Sequence, residues 1–401
     1  MNSSFLRIAL VLGLLSAVGP FAIDMYLPAL PSIGKDMGAS VGAVQGSLMA
    51  YFVAMGAGQL IYGPVSDMVG RRLPLYFGLT LFAIGSVGCA LAPDVQTLVV
   101  LRFVQGLGAC ATVVIPRAIV RDLYSGHDAA RVMALLMLVF SVSPILAPLT
   151  GALVVQASGW RTVFWIIAAL AMAAIMLVAT SLHETRPPEK RTDSGLRSAL
   201  RAYGVLLRDR QFLGLVAVGA LGVSSFFAYL ANSPFVLIDH FGLTSRQYGL
   251  AFAVNAASFI GCSQLTGRFA KRLGLALLVR RAIVGYAVAM TLLLLLNLLG
   301  VDQLWLMLTL LFVGFGFLGL VMPSTAVLAL DRHGPIAGTA SALMGMFQFV
   351  TGALVMAVVG LFVDGSSRPM VAGIGACALA ALVVSYRTLG AGPAAASVPK
   401  T

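Results

Sequence analysis

The chain has 401 residues, 60% of them hydrophobic and only 10% charged, with a mean hydropathy of +0.98. A soluble domain carries about 25% charged residues, so this composition excludes an ordinary soluble globular protein and points to a polytopic membrane protein. The net charge of +12 does not mark a nucleic-acid binder, because the basic residues are spread over short connectors and form no patch.

A membrane-crossing helix needs roughly 20 apolar residues. The hydropathy pattern predicts twelve such spans, at 5–27, 43–63, 74–92, 97–119, 132–155, 162–182, 212–236, 247–267, 282–299, 304–329, 337–362 and 369–386. The first run is too long for a signal peptide and is read as retained. It carries Asp24, the one acidic residue within any predicted span, with Pro20 before it and Pro28 and Pro31 after it. A carboxylate in hydrocarbon costs at least ~2.5 kcal/mol, so Asp24 is expected to face the bundle interior or a watery cavity. The prolines would loosen the helix and free carbonyls there.

The loop after span 2 holds Gly63, Asp67, Gly70, Arg71 and Arg72. The glycines permit close backbone approach, and Asp67 can bond helix N-terminal amides or a basic partner. Span 4 carries Arg102 near its outer start and Arg117 near its inner end. Arg102 is expected at the depth of Asp24, in the outer half of span 1, where a charge pair would form. An arginine opposite favours the carboxylate while desolvation favours the neutral acid, so the balance between them would control a proton. The long stem of Arg117 can snorkel to the interface or reach a gate. Span 5 contains Pro144, Pro148 and Gly151, a kink and a close-packing site suited to a hinge.

The stretch 183–211 is the one long polar interruption. It divides the chain into a first six-span half (1–182), a linker (183–211), a second half (212–390) and a small-residue tail (391–401) expected to be disordered. Residues 199–207 of the linker read either as a short amphipathic helix on the membrane surface or as part of a solvated linker whose charges only enforce topology. TGALVVQASG at 150–159 recurs as TGALVMAVVG at 351–360, in corresponding spans, as a duplication would leave them. All but six of the 26 lysines and arginines fall on one side of the predicted topology. Lys35, Arg161, Arg246 and Arg368 lie on the other, and Arg102 and Arg117 lie within span 4. By the positive-inside rule both termini are cytoplasmic.

Two six-helix halves form a known transporter plan, with substrate near the midplane. No GxxxxGK[ST] pattern is present, which leaves an ion gradient as the energy source. The histidines sit in connectors and the cysteines Cys89, Cys110, Cys262 and Cys377 stand far apart, without metal spacing or a catalytic motif. No cofactor and no enzymatic activity are expected. Polar and aromatic residues in the spans, Tyr26, Gln45, Tyr51, Gln105, Phe227, Tyr229, Asn232, Asn255, Phe347 and Gln348, are the candidates for a mostly apolar substrate pocket.

IDMYLPALP at 23–31, GQLIYGPVSDMVGRR at 58–72, LRFVQGLGA at 101–109, RAIVRDLY at 117–124 and SPILAPLTGA at 143–152 occur in an order that resembles one family. The chain resembles the major facilitator superfamily, and within it the drug:proton antiporters of the bicyclomycin- and chloramphenicol-resistance (Bcr/CflA) group. Met68 follows Asp67 where the family usually has arginine, and Ala147–Pro148 stands where it often has Gly-Pro. The resemblance implies an all-α membrane protein of twelve helices in two pseudo-symmetric six-helix bundles, working as a monomer in the bacterial inner membrane. It implies export of small antimicrobial drugs in exchange for protons, with Asp24 and Arg102 in proton coupling. The loop of Gly63, Asp67, Gly70, Arg71 and Arg72 would be a latch between the halves, while Pro144, Pro148 and Gly151 limit proton leak. A metabolite carrier of the same fold and a non-transporting membrane sensor are the alternatives.

Overall fold

The computed structural model describes residues 3–191 and 195–390, and the tail 391–401 lies outside them. Twelve long helices account for most of the described residues. They are α1 (Ser3–Asp24), α2 (Val41–Val69), α3 (Arg72–Leu91), α4 (Val95–Leu123), α5 (Gly126–Ser158) and α6 (Trp160–Ser181) in the first half. The second half holds α7 (Arg210–Pro234), α8 (Ser245–Leu273), α9 (Leu275–Leu298), α10 (Leu304–Leu330), α11 (Ala337–Gly360) and α12 (Arg368–Leu389). By length and composition ten segments can cross a membrane, one of which, Leu304–Gly360, contains both α10 and α11. The polar α8 falls outside that set although it packs in the bundle, because Asn255, Gln264, Lys271 and Arg272 dilute its apolar face. The protein is a multi-pass membrane protein.

Local chemistry sets the helix ends. The Ser40 hydroxyl accepts from the Ala43 amide at the start of α2, Asp94 accepts from Thr97 at the start of α4, and Thr244 forms a capping box with Gln247 at α8. Gly70, with φ +98°, stops α2 in a conformation that side chains rarely adopt. A Cβ there would also meet Glu184 Oε2 at 2.7 Å.

The two halves repeat one packing plan. The pairs α2/α4, α3/α4, α1/α5 and α3/α6 of the first half correspond to α8/α10, α9/α10, α7/α11 and α9/α12 of the second. The halves meet along two symmetry-related seams, α2 against α11 and α5 against α8. At the second seam, a Cβ on Gly249 of α8 would stand 3.3 Å from the Pro148 carbonyl oxygen of α5.

A linker helix, Gly195–Leu206, does not lie free on a membrane surface, as one of the two sequence readings has it. It packs against both α2 and α11 with Ala199, Ala202 and Leu206 buried, and the Tyr203 hydroxyl donates to the Leu60 carbonyl at 3.4 Å. The end of the molecule holding this helix is called the linker end below, and the opposite one the far end.

Candidate functional site

The helical path that begins in α1 does not stop at residue 27. After Asp24 it breaks into a turn, a tight 3-10 turn at Leu27–Ala29 and a short helix, Leu30–Asp36, so that the apolar path runs from Arg7 to Asp36. Pro28 and Pro31 each occupy the opening positions of these short elements, where a missing N–H does no harm. Asp24 therefore lies well inside the path, at its break, and not near its outer end. It is 5% exposed, with the fully buried Ser143 of α5 beside its carboxyl and Tyr51 and Tyr248 within electrostatic reach. Tyr248 belongs to α8, so Asp24 sits at the seam between the halves.

The expected Asp24–Arg102 charge pair does not form. Among the described residues Asp24 makes no ion pair, and Arg102 is fully buried elsewhere. The Arg102 guanidinium lies 4.4 Å from the ring centres of both Tyr26 and Tyr51. It donates to Gln105 Oε1 at 2.5 Å and to the Ala22 carbonyl at 3.3 Å, and its Nε and Nη2 have no hydrogen-bond partner among the described residues. Two aromatic faces offset part of the desolvation of a buried cation, and this displaces the carboxylate expected opposite it. The two residues share a depth but face different ways.

Gly151 places α5 against this break. A Cβ on Gly151 would overlap the Met25 carbonyl oxygen and stand 2.9 Å from the Met25 carbonyl carbon, one residue past Asp24. The close packing anticipated for Gly151 is thus an α5–α1 contact within the first half. Pro144 and Pro148 stay inside the single helix α5.

The expected drug-pocket residues are mostly engaged in contacts within the protein. Tyr26 shares a 2.7 Å hydrogen bond with Ser47, Tyr51 donates to the Gly19 carbonyl, Gln105 donates to Ser86, and Asn255 donates to the Tyr229 hydroxyl. Between the halves, Phe52 of α2 stacks on Phe227 of α7 with ring centres 4.2 Å apart, and Phe349 of α11 stacks on both. Phe347 and Gln348 of α11 are half-buried beside this stack. Further toward the far end Gln45 donates to the Asn232 side chain at 2.9 Å, and Lys35 forms a 3.0 Å ion pair with Asp239. Phe52, Phe349, Lys35 and Asp239 were absent from the expected set. Their polarity or size alone gives no sign that they meet across the halves.

Two cavities flank the stack. One, of about 560 Å³, opens at the far end beside Asn232, Asp239 and Gly360. The other, of about 660 Å³, lies at the linker end between α2, α4, α11 and the linker helix, with Arg117 on its wall.

The loop of Asp67, Gly70, Arg71 and Arg72 forms a charge network that stays within the first half and the linker. Buried Arg71 pairs with Asp67 at 2.8 Å and grips both oxygens of Asp122, at 2.7 and 3.1 Å. Arg186 joins Asp67 at 3.2 Å. Glu184 accepts from the amides of Arg71 at 2.9 Å and Arg72 at 3.1 Å, capping α3, while the Arg72 side chain turns to Tyr76. Desolvation pushes the Glu184 carboxyl up, but the amides of Arg71, Arg186 and Arg72 and the charge of Arg191 more than offset it and hold it below the usual range. Asp67 thus has no ion-pair partner from the second half among the described residues, as a latch joining the halves directly would require. Asp122 and Glu184 escaped the sequence reading. Gly63 offers no close approach: a Cβ there meets nothing within 4 Å.

Comparison with known proteins agrees with this architecture. The chain is 39% identical over 359 residues to an uncharacterised MFS-type transporter, YdgK, of Bacillus subtilis, covering 89% of each. It is 30% identical to a bicyclomycin resistance protein homolog of Haemophilus influenzae, covering 96% of each. It is also 34% identical to the multidrug resistance protein MdtL of Escherichia coli over 59% of this chain and 60% of that one. A D-xylose-proton symporter shares the fold, with a TM-score of 0.74 at 18% identity over 95% of this chain and 97% of its own. The family model of the Major Facilitator Superfamily matches residues 12–356, and so the chain belongs to that superfamily, beside relatives of the bicyclomycin-resistance group.

Proposed function

We propose that the protein exports small antimicrobial compounds across the bacterial inner membrane in exchange for protons, with the linker end in the cytoplasm. Drug export is supported by the names of the relatives, a bicyclomycin resistance protein homolog and a multidrug resistance protein. The orientation is supported by the strong excess of lysine and arginine in the linker-end connectors. The ion gradient, the one energy source the sequence leaves open, is the driving force.

The observation that carries proton exchange is Asp24: a buried carboxyl with no ion-pair partner among the described residues, at a helix break on the seam between two halves. With its proton in place the group is neutral and the seam can close around it. Without the proton, a charge held in the dry seam costs at least ~2.5 kcal/mol, equivalent to about a 70-fold shift between closed and open arrangements. Proton binding and release are thereby tied to movement of the halves. Arg102 lies against Tyr51, which is within electrostatic reach of that carboxyl, and so acts on Asp24 through the ring without neutralising it.

The test compares wild type with Asp24→Asn at matched membrane levels, in bacteria lacking their own exporters. Bicyclomycin, chloramphenicol and sulfonamides would be included. Resistance conferred by wild type and lost in the variant, together with drug binding retained by the purified variant, is the expected result. Full transport driven by a pH gradient in Asp24→Asn would overturn proton coupling through this residue. Uptake of a nutrient with no resistance to any compound would replace drug export with metabolite transport.

A further inference from the structure

The break in α1 touches the second half as well as the first. Its 3-10 turn, Leu27–Ala29, packs on α5 and also on α7 and α8. From there a row of polar groups runs from Asp24 into the second half, every member buried. Tyr248 of α8 lies within electrostatic reach of the Asp24 carboxyl, and its neighbour Gly249 is the residue that rests on the Pro148 carbonyl of α5. The Tyr248 hydroxyl shares a 3.4 Å hydrogen bond with Ser233 of α7. Ser233 also meets the hydroxyl of Tyr229, which accepts from Asn255 Nδ2 at 3.2 Å. An amide NH2 can only donate, and this sets the direction of the row. Tyr229 accepts from Asn255 and has its own proton to give to Ser233. Ser233 in turn donates to Tyr248, which leaves the Tyr248 O–H to donate toward Asp24. Donors aligned head to tail in a dry interior polarise and strengthen one another. None of these four residues lines either of the two cavities, so the row is poorly placed to touch a substrate.

Resting on the reading of Asp24 as the proton's seat, we propose that Tyr248 is a positioning residue for proton exchange. Its hydroxyl, backed by Ser233, Tyr229 and Asn255, donates to the Asp24 carboxylate across the seam and sets the pH at which the proton leaves. A neutral carboxyl gains a weak hydrogen bond from this donor, whereas a carboxylate gains a charge-assisted one, roughly twice as strong. The row therefore offsets part of the cost of the charge, and does so only while α8 is held against α5. Separating the halves takes the donor away, so the proton affinity of Asp24 depends on how the halves are arranged. Among the described residues, the other charged or titratable side chains around the break are Tyr26 of the break itself, Tyr51 of α2 and Arg102 of α4, all in the first half. In that half α5 adds Ser143, and α6 adds the Phe164 ring. The hydroxyl protons of the two first-half tyrosines are committed elsewhere. Ser47 gives its proton to the Val44 carbonyl, so Tyr26 donates to Ser47, and Tyr51 donates to the Gly19 carbonyl. Tyr248 is thus the tyrosine left to serve Asp24, and it belongs to the other half.

The test reads Asp24 directly and needs neither drug nor gradient. Infrared difference spectra of the purified full-length protein in phosphatidylcholine nanodiscs, taken across pH, follow the carbonyl stretch of protonated carboxyls. The band belonging to Asp24 is the one lost in Asp24→Asn. Tyr248→Phe keeps the ring and its contact with Phe252 but removes the donor. The midpoint of the Asp24 band is then expected to move to higher pH by about one unit, a tenfold rise in proton affinity. Ser233→Ala is expected to move it the same way by less, and reads the same row should Tyr248→Phe fail to fold. Tyr286→Phe removes a buried hydroxyl paired with Ser225 elsewhere in the second half, and is expected to leave the midpoint where it is. A midpoint unmoved or lowered in Tyr248→Phe and Ser233→Ala would overturn the proposal while leaving Asp24 as the proton site. An equal shift in Tyr286→Phe would overturn it as well, by assigning the effect to general loosening of that half. Spectra in which Asp24→Asn loses no titrating band would overturn the reading of Asp24 itself, and the proposal with it.

Discussion

Replacing Gly151 by alanine tests the link between α5 and the break at Asp24 most directly. The added Cβ would overlap the Met25 carbonyl oxygen, stand 2.9 Å from its carbonyl carbon and 3.0 Å from Met25 Cα. Those atoms are main chain, at the point where α1 ceases to be α-helical, so no side chain can swing aside to make room. Overpacking of this kind usually costs ~1–3 kcal/mol, a factor of roughly 5 to 150 in the population of the native packing. Gly63→Ala supplies the control. Its Cβ meets nothing within 4 Å, and alanine in a helix interior is favoured over glycine by about 0.5–1 kcal/mol. Thermal unfolding of the purified protein, followed together with pH-gradient-driven transport, reads both effects. Gly151→Ala is expected to lower the midpoint by several degrees and slow transport, while Gly63→Ala holds or raises the midpoint. Wild-type stability and transport in Gly151→Ala would refute the claim that α5 pins the break.

Two other outcomes follow from contacts at opposite ends of the molecule. Glu184→Gln removes the charge that accepts from the Arg71 and Arg72 amides, for an expected loss of about 1 kcal/mol, the typical value of a helix N-terminal cap. Because the folded Glu184 carboxyl lies below its ordinary value of 4.5, its contribution is present above about pH 4.5 and lost as pH falls through the lower folded value. The difference in unfolding midpoint between wild type and Glu184→Gln is therefore expected to stay constant above about pH 5 and to shrink below it. A difference that grew on acidification would contradict the capping geometry. At the far end, Lys35 is 75% exposed, so the Lys35–Asp239 pair adds little stability, ~0.2–1 kcal/mol at most, and its role is to mark where the halves meet. Cysteines at both positions joined by a short bifunctional thiol reagent are expected to stop transport until the link is cleaved. Undiminished transport in the linked protein would show that the halves do not separate there.

Much of the fold was legible because hydropathy reports depth. The twelve apolar runs appear as twelve long helices, even α8, whose polar residues keep it below the usual threshold for a span. Rotation about each helix axis is what the sequence concealed. Asp24 and Arg102 were matched by depth, yet Arg102 turns to two tyrosine faces. Gly63 and Gly151 sit in similar apolar surroundings in sequence, yet one faces a cavity and the other a carbonyl. Asp122 and Glu184 were missed for a related reason. Each lies far along the chain from Arg71, and a solvated connector gives no periodic signal that its carboxylate folds back onto an arginine.

The Arg71 network also bears on the order in which the protein is made. Its last contributors are Glu184 and Arg186, which leave the ribosome before any residue of the second half. The first six helices can therefore fasten their exposed charges and cap α3 while α7 does not yet exist. A nascent chain that has released residue 186 already carries every partner of Arg71, before its counterpart half exists.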